Sequence, residues 1–228
     1  MLQHRPFSKS FARMQKAFIF DFDGTVAETI PLTLDAFFAA YRRLSVPEPS
    51  LEMFKSQFGA EERGILRALN PEIESELYRA YLEEYERLLE ERAQKPFDGI
   101  VELLQNLRSR GARVSLVTGK GAETAAISVR IMGLEKYFDF VESGGLYGSV
   151  KPEKMRKILD NYKIPPSSAF YIGDSPRDVI DSREVGVFPM AAAWSEIVSA
   201  EQFSQVMPVD IFYTVGEAAK FALERLDG

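Results

Sequence analysis

The chain has 228 residues, 46% hydrophobic and 27% charged, with a formal net charge of −6. That is the make-up of an ordinary globular protein, long enough for one large domain or a core with an insert, and its acidic balance speaks against a nucleic-acid partner. The absence of cysteine excludes disulfides and thiolate chemistry, and a single histidine, His4, nearly excludes histidine bases and His-based zinc sites.

Residues 1–15 carry His4, Arg5, Lys9 and Arg13 with no acid, and lack the apolar block of a secretory signal. They are expected to form a flexible extension ahead of a second start at Met14. No apolar stretch approaches membrane-spanning length, so a cytoplasmic protein without a membrane partner is expected. The first structured element is Phe18-Ile19-Phe20, an apolar run that reads as a buried strand and stops at Asp21-Phe22-Asp23-Gly24-Thr25. Two acids two residues apart repel each other unless a cation or a proton lies between them. At the carboxyl edge of a parallel strand, where open sheets bind ligands, such a pair suits Mg²⁺, a hard ion that bridges to substrate phosphate.

Between Thr25 and about Phe97 the pattern is helical. Pro31 opens a helix with Leu34, Phe37, Phe38 and Tyr41 on one face. Two short helices are expected over 50–57 and 60–69. Tyr78, Leu82, Tyr85 and Leu89 stripe a longer one with a charged opposite face. This predicts an all-helical second domain over residues 29–95, with hinges near 25–30 and 93–98, inserted into an α/β core of residues 16–28 and 96–228.

From residue 98 strand and helix patterns alternate. A helix over 98–110 ends at Gly111, and Val114–Val117 is a strand running into Thr118-Gly119. Ala122, Ala125, Ala126 and Val129 stripe the next helix. Phe138–Val141 reads as a strand, Met155–Tyr162 as a helix, and Ala169–Ile172 as a strand reaching Gly173-Asp174. Ser175 and Pro176 fit the N-cap and first turn of a following helix. Val187–Ala191 is a weaker strand, placed at an edge because of Pro189, and Ile211–Tyr213 and a helix over 215–226 close the chain. The alternation predicts a Rossmann-like parallel sheet with helices on both faces. Asp21 and Asp23, Thr118, Lys151 and Asp174 all follow strand patterns, so in such a sheet they converge along one edge.

Asp21-Phe22-Asp23-Gly24-Thr25, Val117-Thr118-Gly119, Lys151-Pro152 and Gly173-Asp174-Ser175-Pro176-Arg177-Asp178 resemble, in order, the four motifs of the haloacid dehalogenase-like hydrolase superfamily. The resemblance spans about residues 16–192, and the helical insert resembles the small cap of its phosphoglycolate phosphatase and β-phosphoglucomutase branches. It implies Asp21 as nucleophile, forming an aspartyl-phosphate, and Asp23 as general acid–base. It also implies Mg²⁺ held by Asp21, by Asp174 and by Asp23 through its backbone carbonyl. Thr118 and Gly119 would bind phosphate, and Lys151 would neutralise charge between nucleophile and phosphate. Asp178 fits both a supporting role at the site and a capping box with Ser175.

Gly119-Lys120-Gly121 lacks P-loop spacing, and Gly144–Gly148 reads as a turn or hairpin. Trp194 reads as core. Arg63 and Lys55 are candidates to reach over the site toward an anionic leaving group. The acid at Asp23 favours phosphate esters, whose leaving oxygen needs a proton. The β-phosphoglucomutase-like enzymes that the chain resembles carry a hinge histidine shortly after the first motif, so the lack of histidine beyond His4 speaks against a mutase. The expected activity is Mg²⁺-dependent hydrolysis of a small phosphorylated metabolite, with phosphoglycolate, sugar phosphates, nucleotides and pyrophosphate all open. The alternatives are phosphoryl transfer to a second hydroxyl and a non-catalytic regulatory module.

Overall fold

The computed structural model describes residues 15–227, so His4 and the expected amino-terminal extension up to Met14 lie outside the described residues. Strands β1 (Ala17–Phe20), β2 (Arg113–Val117), β3 (Phe140–Glu142), β4 (Ala169–Gly173), β5 (Phe188–Ala192) and β6 (Asp210–Phe212) form one parallel sheet in the order β3-β2-β1-β4-β5-β6. The central β1 is buried at every residue, which is why its sequence is a continuous apolar run.

Successive β1 side chains feed opposite layers, as the strand period requires. Phe18 and Phe20 join Leu103, Leu104 and Leu107 of α5 (Ile100–Ser109) and Ala218 and Ala222 of α9 (Val215–Asp227). Ala17 and Ile19 join Met155, Ile158 and Leu159 of α7 (Lys151–Tyr162). The Phe18 ring stacks on Phe170 of β4 at 4.8 Å between centroids. Burial of a side chain this size stabilises by about 1.5–3 kcal/mol. The remaining core helices are α6 (Ala122–Ile131) and α8 (Pro176–Val185).

The expected strand at Phe138–Val141 begins two residues later, at Phe140. Glu135–Tyr137 forms a 3₁₀ turn, and Asp139 is drawn into an ion pair with Arg108 at 2.6 Å. The expectation that β5 lies at an edge is corrected: β5 pairs with both β4 and β6. Pro189 is tolerated because the β6 ladder starts only at Met190, leaving one side of the proline without a partner strand.

After β1 the chain forms four helices, α1 (Ile30–Arg43), α2 (Leu51–Lys55), α3 (Glu62–Leu69) and α4 (Glu74–Glu91). They bury an apolar cluster of their own, centred on Phe37, which packs on Phe54 at 4.1 Å and Tyr81 at 4.4 Å. In α1 the buried face is Leu32, Ala36, Phe37, Ala40 and Tyr41; Leu34 and Phe38 of the expected stripe are only half-buried. The two chain crossings into the helical segment run side by side. The Phe97 N–H donates to the Val26 carbonyl at 2.9 Å, and Gln94 Nε2 to the Glu28 carbonyl at 2.9 Å. Among the described residues no helix is long and apolar enough to cross a membrane.

Candidate active site

The sheet order puts β1 between β2 and β4, so the residues following these strands meet above the centre of the carboxyl edge. Asp21 is continuous with β1: its N–H donates to the Ile172 carbonyl at 2.8 Å, and its side chain is buried. Oδ1 accepts the Phe22 N–H at 2.8 Å, and Oδ2 accepts Lys151 Nζ at 2.7 Å. Burial pushes the Asp21 carboxyl up to about 7, against the pull of Lys151 and with a further push from Asp178. Burial also opposes the Lys151 charge, but Asp178 and Asp21 outweigh it and hold the ammonium above its ordinary range.

Asp178 both caps a helix and contacts Lys151. Its Oδ2 accepts the Ser175 N–H at 3.1 Å and the Ser175 hydroxyl at 2.6 Å, closing a capping box at the start of α8. Its Oδ1 accepts Lys151 Nζ at 2.6 Å.

Asp21, Asp174 and Asp178 each present an oxygen within 4.8 Å of the others. Asp174 is held well above the normal carboxylate range by burial and then by repulsion from Asp21 and Asp178. This crowding of hard oxygen donors fits a small divalent cation. The backbone is shaped for it: Gly24 has φ +68°, and a Cβ there would come within 2.2 Å of Asp174 Oδ2. This trio joins the two carboxylates expected as side-chain ligands, Asp21 and Asp174, with Asp178. The Asp23 carboxylate is turned aside to accept the Thr29 hydroxyl and Lys120 Nζ, the latter at 3.0 Å.

Thr118 is buried, donates its N–H to the Glu142 carbonyl at 3.0 Å, and accepts the Lys120 N–H through its hydroxyl at 3.2 Å. Helix α6 takes Gly121 as its N-cap. Asp21, Asp23, Thr118, Gly119, Lys151 and Asp174 border one cavity of about 390 Å³, which the helical segment roofs; Asp178 stands behind Lys151.

Two charged residues of this region escaped sequence reasoning. Lys120 is 2% exposed, contacts Asp23, lies 3.9 Å from Glu62 Oε1 and 4.8 Å from the Tyr85 ring centroid, and donates to Thr33. Burial opposes its charge, but Asp23, Tyr85 and Glu62 outweigh it and raise the ammonium above its usual value. Glu62 is buried and accepts the Gly121 N–H at 2.6 Å, so a carboxylate of α3 sits on the amino terminus of α6. The usable signal was spacing, because Glu62, Ile65 and Leu66 share one helical face. Arg63 and Lys55 do not border the cavity: Arg63 is paired with Glu74, and Lys55 is exposed at the end of α2. The Gly144–Gly148 segment is a turn closed by a Gly145–Gly148 bridge, and Trp194 packs on the main core while donating to the Thr25 carbonyl at 3.1 Å.

A parallel sheet whose acidic strand ends meet beneath a helical roof has the architecture of a Rossmann-like hydrolase. The chain belongs to the haloacid dehalogenase-like hydrolases, whose family model matches residues 18–192. It is 29% identical over 188 residues to a phosphoglycolate phosphatase of Thiobacillus denitrificans, covering 78% of this chain and 83% of that protein. It is 23% identical over 171 residues to the pyrophosphatase PpaX of Halalkalibacterium halodurans, covering 74% and 79%. In fold it is similar to CbbY from Rhodobacter sphaeroides in complex with phosphate, with TM-score 0.78, 21% identity, and 94% of this chain and 100% of that one covered.

Proposed function

We propose that the chain is a Mg²⁺-dependent phosphomonoester hydrolase working through an aspartyl-phosphate on Asp21. The observation that carries this is the Asp21–Lys151 pair at 2.7 Å, set among Asp174 and Asp178 at the floor of a cavity. Asp21, Asp174 and Asp178 would hold the cation, with the Asp23 carbonyl as a further ligand, and bound Mg²⁺ would supply positive charge opposite the phosphoryl oxygens. Lys151 adds a fixed cation on the same side, and Thr118 with the Gly119 backbone offers hydrogen bonds to the remaining oxygens.

The protein's own groups then divide the chemistry into two displacements. An Asp21 oxygen bonds to phosphorus, and the bond from phosphorus to the ester oxygen breaks. Asp23 gives that oxygen a proton, releasing an alcohol. A water then bonds to phosphorus and yields a proton to Asp23, while the bond to Asp21 breaks and inorganic phosphate leaves. Thr29 and Lys120 hold the Asp23 carboxylate beside this path. The helices over 29–95 act as a cap that excludes bulk water. The test is Asp21→Asn assayed with an aryl phosphate and Mg²⁺. Loss of turnover with an unchanged melting profile is expected; retained turnover rejects the nucleophile.

A further inference from the structure

The phosphatase relatives are named for phosphoglycolate and pyrophosphate, whose leaving groups are themselves anions. The roof of this cavity is largely apolar. Its inner surface is supplied by Ile30, Leu34 and Phe37 of α1, by Phe58 and Ala60, and by Ile65 of α3. The only charged side chain that the helical segment contributes to the lining is Glu62, an acid.

Among the described residues, the cationic side chains around this upper half and the amino terminus of α6 are each matched by a carboxylate of the protein. Lys120 lies 3.0 Å from Asp23 and 3.9 Å from Glu62. The amino terminus of α6 is taken by Glu62 through the Gly121 N–H at 2.6 Å. Arg63 is turned to Glu74, and Arg67 lies 3.6 Å from the same carboxylate. Arg177, at the rim, pairs with Asp181 at 2.7 Å. A second anion would therefore face Glu62 and Asp23 without a cation of its own, and would lose its hydration against apolar walls. An uncharged body would gain from the same walls. Thr33, which accepts a hydrogen bond from Lys120, still has a hydroxyl hydrogen to offer one polar group.

We infer that the leaving group this site selects is an uncharged alcohol with an apolar or ring-shaped body, and not a second anion. The inference rests on the hydrolase reading above and names the substrate class for that site. The ester oxygen still departs with the phosphorus–oxygen electron pair and takes its proton from Asp23.

The test compares phosphate release by the wild-type enzyme with Mg²⁺ from 2-phenylethyl phosphate and cyclohexylmethyl phosphate against 2-phosphoglycolate and pyrophosphate. Alkyl esters are chosen so that an activated leaving group does not decide the order. The neutral esters should show kcat/KM at least about tenfold higher, the discrimination an apolar pocket supplies. Equal or faster turnover of phosphoglycolate or pyrophosphate overturns the inference. Calorimetric binding of the same four compounds to Asp21→Asn with Mg²⁺ separates the two readings. Tighter binding of the neutral esters supports the pocket preference even where nothing is hydrolysed, a result that would sink only the hydrolase reading. Tighter binding of phosphoglycolate or pyrophosphate overturns the preference.

Discussion

Lys120 Nζ lies 3.0 Å from Asp23 Oδ1, joining a buried ammonium in the loop after β2 to the second acid after β1. The same nitrogen is 3.9 Å from Glu62 on α3, so one side chain links the chemical centre to its helical roof. Lys120→Met leaves Glu62 without its cation, and breaking a buried pair in this way costs about 3–5 kcal/mol. A clear drop in melting temperature is expected. Adding Glu62→Gln should recover much of that stability without restoring kcat, because Asp23 has still lost its partner. Full recovery of kcat in the double variant would show that Lys120 acts on stability alone.

On the proposed mechanism, Asp23→Asn removes the proton that the departing oxygen needs. With an alkyl phosphate the expected loss of kcat is about 10²–10⁴-fold, the usual range for a positioned acid. With p-nitrophenyl phosphate, whose leaving group departs unprotonated, the loss in the first step should be far smaller. Single-turnover rates for both esters make the comparison. Equal losses would argue that Asp23 acts by some route other than proton delivery.

Gly24→Ala places a methyl group within 2.2 Å of Asp174 Oδ2, on backbone with φ +68°. The left-handed conformation alone costs about 1–2 kcal/mol for a residue with a side chain. Displacement of Asp174 should weaken divalent-ion binding as well, and a Mg²⁺ titration followed by thermal denaturation reads both effects. An unchanged Mg²⁺-dependent rise in melting temperature would contradict the role given to Asp174.

Glu62 should make stability depend on pH. Burial raises its carboxyl above the ordinary value of 4.5, against the opposing pull of Lys120 and the Gly121 N–H. The folded state therefore holds the Glu62 proton more tightly than the unfolded chain does. Stability from this group is complete below pH 4.5 and is lost as pH rises through the folded-state value. Glu62→Gln cannot ionise, so its melting temperature relative to wild type should climb across that interval. A difference that stays flat with pH would remove Glu62 as the titrating group.

The parts of this architecture that were readable from sequence share a physical cause. β1, β2 and β4 are apolar runs that end at polar side chains, and burial on both faces leaves little freedom in how such runs are used. β3 is three residues long, and Asp139 beside it serves an ion pair, so its start was displaced. Pro189 was misplaced because its tolerance depends on where β6 begins, a tertiary matter. At the site, Asp21, Thr118, Lys151 and Asp174 were legible through their position after strands. Lys120 and Glu62 were not, since isolated charges in a loop or on a helix are normally solvated. Arg63 and Lys55 show the reverse error: their charge suggested reach, but Glu74 holds one and solvent surrounds the other.

The paired crossings at Val26–Phe97 and Glu28–Gln94 have an evolutionary consequence. Because the polypeptide leaves the sheet and returns at neighbouring points, whatever lies between them can be lengthened, shortened or exchanged without moving the strand termini beneath. Lineages descended from one such ancestor can diversify what they recognise by grafting new roofs, while the floor stays fixed.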